Sequence, residues 1–165
     1  MDVLDAVPVL RDLPPAVAVA LVAMLPIVEL RGAIPIGFLL GLGPLENFAA
    51  AVVGNLIPVP ALVWLLDPAQ RWLSAHSRAF ARFFSWLFAR TRTRHSARYE
   101  RFRDAALILF VGVPLPGTGA WTGAAAAFVF GIKGWKAFLL ITVGVVIAGI
   151  AVTLFIETGR AVVNR

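Results

Sequence analysis

The chain has 165 residues, no cysteine and a formal net charge of +6 at pH 7. Hydrophobic residues make up 60% of it and charged residues only 15%, whereas soluble domains carry about 25% charged residues. This composition predicts a single-domain integral membrane protein spanning residues 1–165. It excludes disulfides, thiol catalysis and cysteine-ligated metal centres.

The first apolar stretch, residues 14–45, is interrupted by two charges, a glycine and a proline, in the run Glu29-Leu30-Arg31-Gly32-Ala33-Ile34-Pro35. Non-helical backbone at membrane depth is tolerated only where it is buried in protein or lines a wet cavity. We therefore expect a re-entrant hairpin in which residues 14–28 enter the membrane, 29–35 turn and 36–45 leave on the same side.

Residues 47–66 and 137–156 are two uncharged stretches of twenty residues each. A membrane-spanning helix needs about 20 apolar residues, so both are predicted to span. The first contains Asn55, Pro58 and Pro60, which predict a kinked helix whose freed carbonyls face protein or water. Asn55 has two open interpretations, as a hydrogen-bonding contact between helices or as a residue lining a pathway.

The segment 67–104 holds most of the positive charge, with nine arginines against three acidic residues. Between membrane segments, such a block is typical of the cytoplasmic side, and this interpretation is favoured over nucleic-acid binding. Within it, residues 69–89 are predicted to form an amphipathic helix at the membrane surface. Its apolar face holds Leu73, Phe80, Phe84 and Leu87. The candidate contacts to lipid headgroups are Arg71, Arg78, Arg82, Arg90, Arg92 and Arg94.

The second interrupted stretch, residues 105–132, turns on the run Pro114-Leu115-Pro116-Gly117-Thr118-Gly119. The turn leaves legs of nine and thirteen residues. Such legs reach about 14–20 Å, or roughly half a bilayer. A second re-entrant hairpin fits this length, and a short kinked span is the alternative with the same composition.

These segments together predict an all-α integral membrane protein. With 67–104 in the cytoplasm, the first hairpin opens to the outside and the second to the cytoplasm. Each hairpin is followed by a transmembrane helix, so the fold is expected to be an inverted repeat of opposed re-entrant hairpins, with the basic amphipathic segment between them. Paired interrupted segments of this kind point to a transport site.

No enzyme constellation, cofactor motif or metal-ligand cluster stands out in the sequence, and we predict neither catalysis nor a cofactor. Ionisable residues at membrane depth usually face a cavity or a partner, which makes Glu29 and Arg31 the main candidates. Their alternative role is to pair and fix the turn. The second turn has a structural need for proline and glycine, or it forms an anion-attracting pocket. The predicted pathway residues are Glu29, Arg31, Gly32, Pro35, Asn55, Pro114, Pro116, Gly117, Thr118, Gly119 and Trp121.

Three motifs carry a family resemblance: ELRGAIP at 29–35, GNLIPVP at 54–60 and PLPGTGAWTG at 114–123. They resemble the small multidrug export protein family of short prokaryotic membrane proteins. That family in turn is similar to a minimal DedA (VTT, or SNARE-associated) protein. The resemblance implies two opposed re-entrant hairpins and movement of the lipid carrier undecaprenyl phosphate or of phospholipids. DedA proteins often carry an arginine in or near the second hairpin tip, whereas here that tip is uncharged.

The predicted function is a small transporter or exporter that moves a small amphiphilic or anionic solute across the membrane or between its leaflets, with Glu29 as the candidate for proton coupling. A cationic drug would use Glu29 as its counter-charge, and a lipid phosphate would use Arg31. The alternative is a non-transporting membrane scaffold that binds anionic lipid or a partner through the basic segment. Expected partners are membrane lipids, the transported substrate and a second copy of the chain, without nucleic acid. The expected location is the inner cell membrane, which the chain crosses more than once.

Overall fold

The computed structural model describes residues 13–91, 97–115 and 117–163, and within these ranges the chain is helical without strands. The helices are α1 (Pro15–Ala23), α2 (Glu29–Leu39), α3 (Pro44–Leu56), α4 (Pro58–His76), α5 (Arg78–Thr91), α6 (Ala97–Gly112), α7 (Ala120–Phe130) and α8 (Gly134–Val163). Two helical stretches, Pro44–His76 and Gly134–Val162, are long and apolar enough to cross a membrane. The predicted all-α class is confirmed.

The first apolar stretch turns earlier than the sequence predicted. Its turn lies at residues 24–28, and Glu29 already begins α2. Pro26 lies in that turn, where it lacks an amide donor and disfavours helical backbone at the residue before it. Pro35 lies inside α2, where it removes one backbone hydrogen bond without ending the helix. The expectation that residues 29–35 form a non-helical turn is therefore wrong.

The middle of the chain also differs from the predicted segments. The hydrogen-bonded helix is interrupted at Ile57, just before Pro58, and α4 then continues ten residues beyond position 66 to His76. Ser77 is extended, with φ −147° and ψ 121°, so residues 69–89 are not one amphipathic helix but parts of α4 and α5. The leg before the second turn is α6, which has 16 residues and not nine.

Two helical hairpins pack against α8. Hairpin 1 consists of α1, the turn at 24–28 and α2; hairpin 2 consists of α6 and α7 with the described turn residues 113–115 and 117–119 between them. The side chain of Asp104 in α6 pairs with Lys136, and Val111 contacts Gly144, so α6 runs parallel to the first half of α8. Leu30 contacts Gly149, and the Arg160 guanidinium lies over the Phe38 ring. Thus α2 runs parallel to the second half of α8, and the two turns meet near its middle.

Close helix contacts make this arrangement compact. Gly54 in α3 lies directly on the backbone of Ala20 in α1, where a larger residue would collide with main-chain atoms. Asn47 in α3 donates to the Ile34 carbonyl in α2 at 2.7 Å. The buried core contains Leu30, Ile34, Leu107, Val111, Ile141 and Val145. Large apolar side chains such as Leu154 and Phe155 are exposed on α8, as expected of a surface that faces lipid.

Candidate functional site: the junction of the two hairpin tips

Arg31, in the first turns of α2, reaches across to the turn of hairpin 2. Its Nη1 donates to the Leu115 carbonyl at 2.8 Å, and its Nη2 donates to Thr118 Oγ1 at 3.0 Å. Nη2 also lies 3.3 Å from the Val113 carbonyl and 3.4 Å from that of Val111. The Val111 carbonyl belongs to the last turn of α6, where helical carbonyls lack intrahelical partners, and the Val113 and Leu115 carbonyls follow directly after it. The guanidinium therefore caps α6 and fastens the two turns to each other.

Glu29 contacts the opposite leg of hairpin 2. Its Oε1 accepts the Trp121 backbone N–H at 3.4 Å, at the start of α7. The carboxylate lies so close to the Cα of Gly119 that a Cβ at this position would overlap it. Its Oε2 is 3.7 Å from Arg31 Nη1, which completes a buried ion pair. Glycine at position 119 is thus a condition for this placement of the carboxylate.

The two charges match the helix ends that they touch. A helix carries partial positive charge at its amino end and partial negative charge at its carboxyl end. The carboxylate of Glu29 lies at the amino end of α7, and the guanidinium of Arg31 lies at the carboxyl end of α6. Glu29 also has a φ of +50°, the one positive value among the non-glycine residues that the structure describes. Such strain persists only where surrounding contacts hold it, and it often marks a functional position.

A cavity of about 570 Å³ opens beside this pair, between the turn of hairpin 1 and that of hairpin 2. Both Glu29 and Arg31 border it. The other lining residues are mostly apolar or small and comprise Pro26, Ile27, Val28, Gly32, Pro114, Gly117 and Thr122. The combination of apolar walls and a few polar groups is typical of a small-molecule site. We call this cavity and the contacts around Glu29 and Arg31 the tip junction.

Most predicted pathway residues meet at the tip junction. Glu29, Arg31, Thr118, Gly119 and Trp121 contact one another through the bonds described above, and Gly32, Pro114 and Gly117 line the cavity. Pro35 lies one turn beyond Arg31 in α2 and does not line it. Pro116 lies outside the described residues.

Asn55 is fully buried in α3 and does not line the cavity. Within the part of the chain that the structure describes, neither atom of its side-chain amide has a hydrogen-bond partner. Its two interpretations, as a helix contact and as a pathway residue, both stay predictions.

The sequence did not predict that the turn of hairpin 1 forms part of the tip junction. The Trp121 indole Nε1 donates to the Met24 carbonyl at 3.0 Å, so this residue bonds hairpin 1 through both its side chain and its main chain. Pro26, Ile27 and Val28 also line the cavity. The Leu25–Pro26 step was the available signal, because the residue before a proline tends to leave the helical region.

The predicted headgroup arginines fall into two groups. Arg71, Arg78 and Arg82 are exposed on α4 and α5. The side chain of Arg90, together with Arg92 and Arg94, lies outside what the structure describes.

A second set of charges lies at the start of α8, which we call the charged end. Lys133 pairs with Asp67 of α4, and Lys136 pairs with Asp104 of α6 at 2.7 Å. Arg103 donates to the Phe130 carbonyl at the end of α7 at 3.1 Å. These bonds join α4, α6, α7 and α8 away from the cavity. Within the described ranges, no group of three His, Cys, Asp or Glu residues could hold a metal ion.

A family model described as "Putative small multi-drug export protein" matches residues 29–151, from Glu29 of the tip junction well into α8. Comparison with curated proteins and with solved structures gave no match. The match covers most of the chain, and together with the two long apolar helices it indicates a membrane protein of an export type. The chain belongs to this small multi-drug export protein family.

Proposed function

We propose that this protein is a small membrane transporter that moves a small amphiphilic solute, a cationic one in preference to an anionic one, across the membrane or between its leaflets, through the tip junction. The observation that carries the proposal is the placement of a buried Glu29–Arg31 pair beside a cavity between two helix ends. Ionisable groups at membrane depth are costly, and they mark substrate or ion pathways when they face a cavity.

The direction of the helices supports an arrangement of two opposed re-entrant hairpins. Because α6 and α2 both run parallel to α8, hairpin 2 reaches the tip junction from one end of α8 and hairpin 1 from the other. In a bilayer, each hairpin would enter from its own face and turn near mid-depth. The arginines of the segment 67–104 would lie on the cytoplasmic face of the cell membrane, in accord with the positive-inside rule.

The two charges have different roles in this proposal. Both terminal nitrogens of Arg31 bond hairpin 2, so Arg31 is a positioning residue that holds the turns together. Among the residues that the structure describes, Glu29 accepts one long hydrogen bond, at 3.4 Å, although a carboxylate can accept several. Glu29 is therefore the group that binds a proton or the positive part of a substrate. This contrast favours the cationic-drug alternative over the lipid-phosphate alternative, in which Arg31 would bind the substrate.

The test is transport by the purified protein in vesicles, with ethidium as the cationic probe and a fluorescent lipid phosphate as the anionic one. Glu29→Gln is expected to abolish movement of the cation while the protein stays folded, because glutamine keeps the shape of the side chain and loses its charge. Glu157→Gln is the matched control, since the Glu157 side chain is partly exposed and pairs locally with Arg160. The Glu157→Gln variant should move ethidium as fast as the wild type does.

The outcomes separate the alternatives. Movement of the lipid phosphate that survives Glu29→Gln but is lost in a folded Arg31→Lys variant would assign the substrate charge to Arg31 and contradict the cationic reading. If neither the wild-type protein nor the Glu29→Gln variant moves either probe, the result favours the scaffold alternative.

A further inference from the structure

Helix α5 has two chemically different faces. Phe80, Phe83, Phe84 and Leu87 recur at intervals of three and four residues, which places them on one side of the helix. Arg78 and Arg82 lie on the other side and are exposed. Extended backbone at Ser77 separates α5 from α4 and allows it to take its own direction.

The apolar face of α5 is divided between the protein and its surroundings. On one flank, the Phe84 ring meets the Phe128 ring of α7 edge to face, with centroids 6.2 Å apart. On the other flank, Phe80 and Phe83 are 45% and 51% exposed. Water is a poor environment for two large aromatic rings side by side.

The surroundings of α5 resemble a membrane–water interface. Trp64 and Trp135 pack edge to face at 5.3 Å near the charged end, and Trp72 on α4 is largely exposed. Tryptophan concentrates at both interfaces of a bilayer, where its ring lies at headgroup level. Lys133 and Lys136 flank Trp135 along the chain, just before the uncharged part of α8.

We propose that α5 lies in the membrane–water interface, with Phe80 and Phe83 inserted among the acyl chains and with Arg71, Arg78 and Arg82 on anionic phospholipid headgroups. The occupant follows from charge complementarity, since Arg78 and Arg82 are exposed on α5 opposite its apolar face and Arg71 is exposed on the adjoining α4 beside the exposed Trp72. The Phe84–Phe128 contact then links this lipid site to hairpin 2. The proposal concerns a surface away from the tip junction and holds whether or not the junction transports a solute.

The test uses the absence of cysteine from the chain. A polarity-sensitive fluorophore is attached at F83C, and at S85C as the control, since Ser85 is exposed and bonds the Arg82 carbonyl. In vesicles with phosphatidylglycerol, the probe at position 83 should emit at shorter wavelength and resist quenching by aqueous iodide. The probe at position 85 should be quenched freely. F80C is a second reporter of the inserted flank, in case F83C folds poorly.

The charge dependence is tested separately. Protection at position 83 should fall at least twofold in vesicles of phosphatidylcholine alone, and also in the triple variant R71Q/R78Q/R82Q with phosphatidylglycerol. Equal protection in both lipids would overturn the role given to the arginines. Equal quenching at positions 83 and 85 would overturn the insertion itself. Rapid disulfide formation between F83C chains would show that a second copy covers this face in place of lipid.

Discussion

The tip junction and the charged end both contain acidic and basic side chains in contact, yet they are built differently. At the tip junction, the side chains of Arg31 and Glu29 are 17% and 7% exposed, and they bond mainly to backbone groups at helix ends. At the charged end, Lys133 and Lys136 are about half exposed and pair with carboxylates. Burial raises the cost of losing a partner, whereas solvent screens an exposed pair.

This difference shows which charges organise the fold. The junction charges bond the facing ends of α6 and α7, in addition to the bonds that Thr118 and Thr122 make within that turn. The charges at the other end join helices that are already packed by apolar contacts. Substitutions at the two places should therefore differ in their effect on the free energy of unfolding.

The largest effect is expected for Arg31→Ala, which leaves the carbonyls at the end of α6 and the Glu29 carboxylate without their cation. Removal of one partner from a buried pair costs about 3–5 kcal/mol. Denaturant unfolding in detergent measures this loss. Lys133→Ala is the matched control at the charged end, and an equal loss in both variants would contradict the comparison.

Gly119→Ala should rank second. The added methyl group would overlap the Glu29 carboxylate and push it away from the start of α7. Overpacking of this kind costs about 1–3 kcal/mol. Gly159→Ala serves as the control, because a Cβ there meets none of the described residues within 4 Å outside its own stretch of helix. The interpretation fails if the two alanine variants unfold at the same temperature.

Asn55→Leu extends the comparison to a buried polar side chain that has no hydrogen-bond partner among the described residues. A buried amide without partners carries a desolvation penalty of about 1–3 kcal/mol, so leucine is expected to stabilise the protein by roughly 1 kcal/mol. Loss of transport in this more stable variant would place Asn55 on the pathway. Destabilisation would instead show that the amide serves as a helix contact.

The smallest effect is expected for Asp67→Asn at the charged end. Exposed pairs contribute about 0–1 kcal/mol, and salt screens them. The difference in unfolding free energy from the wild type should shrink further as the salt concentration rises. A loss above about 2 kcal/mol would mean that this pair resembles the buried one at the tip junction.

Much of the candidate site was predictable, because the residue types themselves are unusual at membrane depth. Charges in an apolar run and a Pro-Gly-rich turn pointed to Glu29, Arg31, Thr118 and Gly119, which do contact one another. The extent of the turns was not predictable in the same way. Pro35 lies within a helix while Pro26 lies in the turn, since a proline restricts the backbone in both settings and only packing selects between them.

The sequence by itself determined the membrane class, the all-helical content, the two long apolar helices and the family, since each depends on composition or on local pattern. Only the tertiary structure decided which charge bonds which helix end. That choice depends on two turns about 90 residues apart along the chain meeting beside α8. Local sequence preferences do not predict this contact between the two turns, because it results from close packing of α2 and α6 on the same long helix.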